Sequence, residues 1–156
     1  GDVDSIAQNP KDCIGSAGMG LWMLLNHSDY WGKSQLTSEQ ITVIGNKEKP
    51  STDLGICYYS LENVYKQGLT HILKKVLSAI PEDHKIILHF DVDVLNSREM
   101  PASYAPREKG LTFSDLEKFF KIIMSDQRLK FVEVTEMVPD RDPSGVFVKK
   151  IIQLFS

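Results

Sequence analysis

The strongest constraint on the fold of this 156-residue chain is an alternation of short apolar runs with segments of helical period. Residues 41–45 (ITVIG) and 55–59 (GICYY) read as strands. From Leu69, apolar residues recur at Ile72, Leu73, Val76, Leu77 and Ile80, the spacing of one buried helix face, and Pro81 ends the run. Residues 86–94 are the next strand. Thr112, with Asp115 three residues later, is a capping-box start, and Leu116, Phe119, Phe120 and Ile123 form the apolar face behind it. Residues 131–136 read as a strand and 146–155 as a closing helix. Residues 18–26 read as an earlier helix carrying Met19, Trp22 and Met23 as core packing. Strands and helices at this spacing predict βαβ units on a parallel sheet, an α/β architecture. No repeat, low-complexity tract or linker interrupts the pattern, so one domain over 1–156 is expected.

Bulk properties exclude some partners. The net charge is −3 with acids and bases interspersed, which leaves no basic footprint for nucleic acid. No apolar run approaches the roughly 20 residues of a membrane span, and no signal-peptide pattern opens the chain. Cys13 and Cys57 lack metal-motif spacing and read as two reduced core thiols of a cytoplasmic protein. The chain opens on Gly1 and runs at once into an acidic motif, as would a chain whose N-terminal strands are missing.

The chemistry is concentrated in HFDVDVLN, residues 89–96. An apolar strand delivers Asp91 and Asp93 two positions apart, hence to one face and about 6–7 Å from each other. Two bare charges at that distance repel by about 2–3 kcal/mol at an effective dielectric near 20, and desolvation adds to the cost. A cation is the expected compensation. In open α/β sheets, ligands bind beyond the carboxyl ends of the strands. Asp91 and Asp93 lie there on one strand and Glu136 on the next, while Asp2 and Asp4 form a second D-x-D. Oxygen-rich clusters suit hard divalent ions such as Mg, Ca or Mn, and a pair of such ions about 3.5–4 Å apart supports hydrolysis. The residues alone thus predict a carboxylate-rich metal site, with a binuclear hydrolytic centre as one form it can take.

A resemblance narrows this. HFDVDVLN, then MPASYAPREKGLTFSDLEKF and FVEVTEMVPD, resembles the C-terminal half of the arginase or ureohydrolase family (arginases, agmatinases and formiminoglutamases). That family shows an S-F-D-x-D-x-x-D-P strand end, a G-G-L-T helix start and an E-V-N-P segment. Here the last two are Lys109-Gly110-Leu111-Thr112 and Thr135-Glu136-Met137-Val138-Pro139. The similarity extends back through residues 41–77 and, as CIGSAGMGLWMLL, over residues 13–25. It implies the three-layer arginase-type fold, a parallel sheet with helices on both faces. It also implies two Mn²⁺ ions bridged by hydroxide, which attacks the carbon of a guanidino or formimino substrate. Asp91 and Asp93 match the family's metal-holding carboxylates, and Glu136 the acid that receives the guanidinium. Asp2 and Asp4 fall in the D-A-H-x-D region: in one register Asp4 keeps the final Asp, in another both match the first two ligands. The family often forms homo-oligomers.

The departures are equally specific. This chain has no G-G-D-H motif, Ala17 aligns with the family's proton-shuttling His, and Asn96-Ser97 stands where the family has D-P. Pro50 occupies roughly the place of an acid that helps hold the substrate's amino group. None of the histidines replaces the lost ligands: His27, His71 and His84 read as surface residues, and His89 as a core histidine or one behind the site. Three functions follow as expectations. The first is a manganese hydrolase of C–N bonds in amidines. The second is a degenerate family member that binds or regulates without hydrolysis. The third, a single-Mg²⁺ phosphoryl- or glycosyl-transferring enzyme, has no glycine-rich phosphate loop to support it.

Overall fold

The computed structural model of the protein describes residues 20–26, 36–47 and 55–156. The chain divides after Glu62 into two units. In the first, α1 (Gly20–Asn26) occupies the expected helical segment; the packing of Met19, Trp22 and Met23 lies outside the described residues. Strands β1 (Thr42–Asn46) and β2 (Cys57–Ser60) pair in parallel, Thr42 against Cys57 and Ile44 against Tyr59. The register slips between Ile44 and Asn46, where Gly45 takes φ 86, a left-handed backbone that only glycine adopts without strain. Cys57, the first residue of β2, is a free, exposed thiol, which overturns the expectation of a core cysteine there, while Cys13 lies outside the described residues. A short helix that periodicity did not reveal, α2 (Leu61–Gln67), carries the chain across that division and buries Leu61 and Val64, too few apolar positions to stand out.

The second unit holds the motifs. Helix α3 (Leu69–Ala79) buries Leu69, Ile72 and Leu73, and the chain turns extended at Ile80 because Pro81 follows. Strand β3 (Ile86–Asp91) runs parallel to β4 (Leu129–Thr135), from Ile86 opposite Leu129 to Asp91 opposite Thr135. Between them α4 (Phe113–Ile123) starts at the expected capping box: Thr112 Oγ1 accepts the Asp115 amide at 3.1 Å, and the Thr112 amide donates to the Asp115 carboxylate at 3.0 Å. Its buried face is Leu116, Phe119, Phe120 and Ile123, and it packs against α3. Phe120 is the hub of the core, edge-on to Phe90 at 5.2 Å and to Phe155 at 5.0 Å. Full burial of such a ring stabilises by about 1.5–3 kcal/mol. Helix α5 (Val146–Gln153) closes the chain and buries Ile151. Among the described residues no helix is long and apolar enough to cross a membrane.

Arg128 pins the amino end of β4. Its guanidinium donates to the Leu77 and Ile80 carbonyls at the end of α3, at 3.0 and 2.6 Å, and to Asp126 at 2.7 Å. That bonding holds the Asp126 carboxyl at about 2, below the usual 3.8.

Two expectations about β3 change. The strand ends at Asp91 rather than at 94, because Val92–Val94 form a 3-10 turn. His89 is not a core histidine: its side chain is 47% exposed, whereas Phe90 and Val92 are buried. The alternate positions Ile87 and His89 face the open side of this strand pair, so the core lies on the Phe90 side.

Candidate functional site

The carboxyl ends of β3 and β4 lie side by side because the strands are parallel and, after one register shift between Ile86 and Ile87, pair regularly up to Asp91 and Thr135. At that end the Asp91 carboxylate turns back on its own chain and accepts the Asp93 amide at 2.8 Å. This is a side-chain cap of the 3-10 turn Val92–Val94. Asp93 therefore sits on the turn, not two pleats along a strand, and the expected shared strand face is replaced by a cap geometry. Both Asp93 oxygens accept the Ala105 amide at 3.2 Å. Backbone N–H groups thus offset part of the charge on this carboxylate pair, and both side chains are half-buried.

Glu136 immediately follows β4 and is the one non-glycine residue with positive φ among the described residues, at 64°. That conformation costs about 1–2 kcal/mol for a residue with a Cβ. Strain of this kind persists where the surroundings over-determine it, and it clusters at functional sites. Here the restraint is visible: the Glu136 carbonyl accepts the Tyr104 amide at 2.8 Å, and two residues on the Val138 amide donates to the Ala102 carbonyl at 2.8 Å.

The loop between Asp93 and α4 ties the two strand ends together. Leu111 and Val94, and Asn96 and Leu111, exchange backbone bonds of 2.9 and 3.0 Å. Gly110 lies so close to the Leu95–Asn96 backbone that a Cβ on it would stand 2.7 Å from the Leu95 carbonyl oxygen. Asn96 organises the turn from both ends of its amide: Nδ2 donates to the Leu111 carbonyl at 2.9 Å, and Oδ1 accepts the Arg98 and Glu99 amides at 3.1 and 3.2 Å. An aspartate there could accept but not donate, so Asn96 serves this loop in a way the family's acid would not. Arg141, on the 3-10 turn Pro139–Arg141, donates to the Ser103 carbonyl at 2.5 Å and the Tyr104 carbonyl at 3.2 Å.

The structure thus brings Asp91, Asp93 and Glu136 to one end of β3 and β4. Asp2, Asp4, Ala17, His27 and Pro50 lie outside the described residues. His71 and His84 are exposed, as expected. His89 turns to β4, where Nδ1 pairs with Glu133 at 2.8 Å and Nε2 with Thr135 at 3.2 Å. Among the described residues no three His, Cys, Asp or Glu side chains stand close enough to hold a metal. Sequence reasoning missed Asn96, Tyr104 and Arg141. Only Asn96 carried a signal, as a departure from the family's D-P.

Residues 23–154 match the model of the arginase family. The chain belongs to the arginase family. An arginase of Saccharomyces cerevisiae is 25% identical over 97% of this chain and 50% of its own length. A formimidoylglutamase of Klebsiella pneumoniae is 32% identical over 49% of this chain. Among solved structures, an arginase of Bacillus subtilis superposes with a TM-score of 0.82 at 17% identity, covering 99% of this chain and 58% of that one. A Trypanosoma cruzi formiminoglutamase with Mn²⁺ superposes at 0.73 and 15% identity, over 94% of this chain and 50% of its own. The fold is therefore the arginase α/β fold, parallel strands with helices, and the chain spans about half the length of the family members it matches.

Proposed function

We propose that this arginase-family chain forms part of a manganese-dependent hydrolase acting on a guanidino or formimino C–N bond. The observation that supports it most is the alignment of Asp91 with Thr135 across β3 and β4, which sets Asp91, Asp93 and the left-handed Glu136 at one sheet end. Three acidic side chains there, one in a strained backbone, suit a cationic site better than a structural one.

The donor set fits manganese in kind, since carboxylates are ligands this hard cation accepts. Asp91 and Asp93 would hold it, with Asp4 and then Asp2 as further candidates from the sequence. Bound manganese would supply a nucleophile at neutral pH and polarise the carbon under attack. The protein's own part is binding and orientation. The Ala105 amide orients the Asp93 carboxylate and the Asp93 amide orients the Asp91 carboxylate. Glu136 would accept paired N–H donors from a planar amidine, a charge-assisted bidentate contact that fixes the substrate's plane.

A family member that binds without hydrolysing is the second reading. It is favoured by the absence, among the described residues, of a third ligand beside Asp91 and Asp93. Urea release from arginine and agmatine, and formamide release from formiminoglutamate, assayed with and without Mn²⁺, separate the two. Manganese-dependent turnover lost in Glu136→Gln supports the hydrolase; substrate binding without turnover supports the second reading.

A further inference from the structure

Between the two strand ends, the loop buries Met100, Ala102 and Ser103 completely and then turns Tyr104 outward, 68% exposed. The backbone of Tyr104 is held on three sides. Its amide donates to the Glu136 carbonyl, its carbonyl accepts from Arg141, and the next amide, of Ala105, donates to Asp93. No hydrogen bond to its hydroxyl occurs among the described residues, and most of the side chain stands in the open. A backbone held on three sides that carries a largely exposed aromatic ring is arranged to offer that ring to a ligand.

We propose that Tyr104 is a substrate-contacting, specificity-determining residue whose ring forms an aromatic wall for the planar cationic group received at Glu136. This rests on the hydrolase reading above and deepens it. A guanidinium or protonated formimino group is flat, delocalised and weakly hydrated at its faces, and it stacks on the electron-rich face of a tyrosine. Glu136 would address the edge of that plane through its N–H donors, and Tyr104 its face, so the two contacts do not compete. Because the loop is already pinned by Arg141 and Asp93, little ordering entropy opposes the contact.

The test is calorimetric titration of Mn²⁺-loaded full chain with L-arginine, agmatine and N-formimino-L-glutamate. The tightest-binding probe is then used with Tyr104→Ala, Tyr104→Phe and Glu136→Gln. Tyr104→Ala is expected to weaken binding about 3- to 30-fold, the range of an aromatic–cation contact, while Tyr104→Phe stays within about twofold of wild type. In turnover, the loss is expected in KM with kcat little changed. Wild-type affinity in Tyr104→Ala, with binding lost in Glu136→Gln, overturns the role of Tyr104 alone. No binding of any probe to the wild-type chain overturns the hydrolase reading and this inference together.

Discussion

The carboxylate of Asp91 accepts the backbone amide of Asp93 at 2.8 Å, so the first acid of the D-x-D motif shapes the turn that presents the second. The motif is thereby both a local fold element and a pair of charges at the edge of a sheet. Asp91→Ala is expected to lower stability by about 0.5–2 kcal/mol through loss of the cap. Asp91→Asn, which keeps an acceptor oxygen, is expected to stay within about 0.5 kcal/mol in metal-free buffer. Urea unfolding of both variants with EDTA present measures the difference.

Glu136 holds its left-handed backbone at a cost that glycine would not bear. Glu136→Gly is expected to be more stable than Glu136→Ala by about 1 kcal/mol, since both lack the side chain and only alanine keeps the strain. Thermal unfolding of the pair reads this directly. Equal melting temperatures would mean that the surrounding bonds, not the absent Cβ, decide the conformation.

Gly110 passes against the Leu95–Asn96 backbone with no room for a methyl group. Gly110→Ala must push apart the two backbone segments that carry Asp93 and start α4, at a cost of about 3 kcal/mol. The expected result is a chain with a much lower unfolding midpoint and weakened metal binding. A variant as stable as wild type would show that this loop yields.

The ion pair of Arg128 and Asp126 makes stability depend on acid. The Asp126 carboxyl is lowered to about 2 from 3.8, so its contribution is complete above pH about 4 and fades as pH falls through about 2. Asp126→Asn is expected to flatten that part of the curve of unfolding midpoint against pH, and to leave the curve unchanged from pH 5 to 8. A mutant curve parallel to wild type at low pH would assign the acid sensitivity elsewhere.

Much of the fold was legible because its signals are local. Thr112 and Asp115 announce α4 within one turn, and Leu116, Phe119, Phe120 and Ile123 all fall on the buried face their spacing predicts. What failed needed a choice between equivalent readings. Period two divides β3 into two faces, yet with Ile87 on one and Phe90 on the other, composition does not say which is inside, and His89 lies on the open face rather than in the core. The end of β3 is not legible because nothing in D-V-D distinguishes an extended pair from an aspartate capping its own turn. The left-handed Glu136 was invisible, since sequence flags positive φ only through glycine or asparagine. Tyr104 and Arg141 escaped because their roles run through backbone bonds to residues more than thirty positions away.

The most direct test is the manganese content of the full chain, loaded with Mn²⁺, dialysed exhaustively and assayed by elemental mass spectrometry beside Asp91→Asn and Asp93→Asn. The wild-type chain is expected to retain at least about one ion, and the variants markedly less. A wild-type value near zero, or equal retention in all the chains, would contradict a metal site at Asp91 and Asp93.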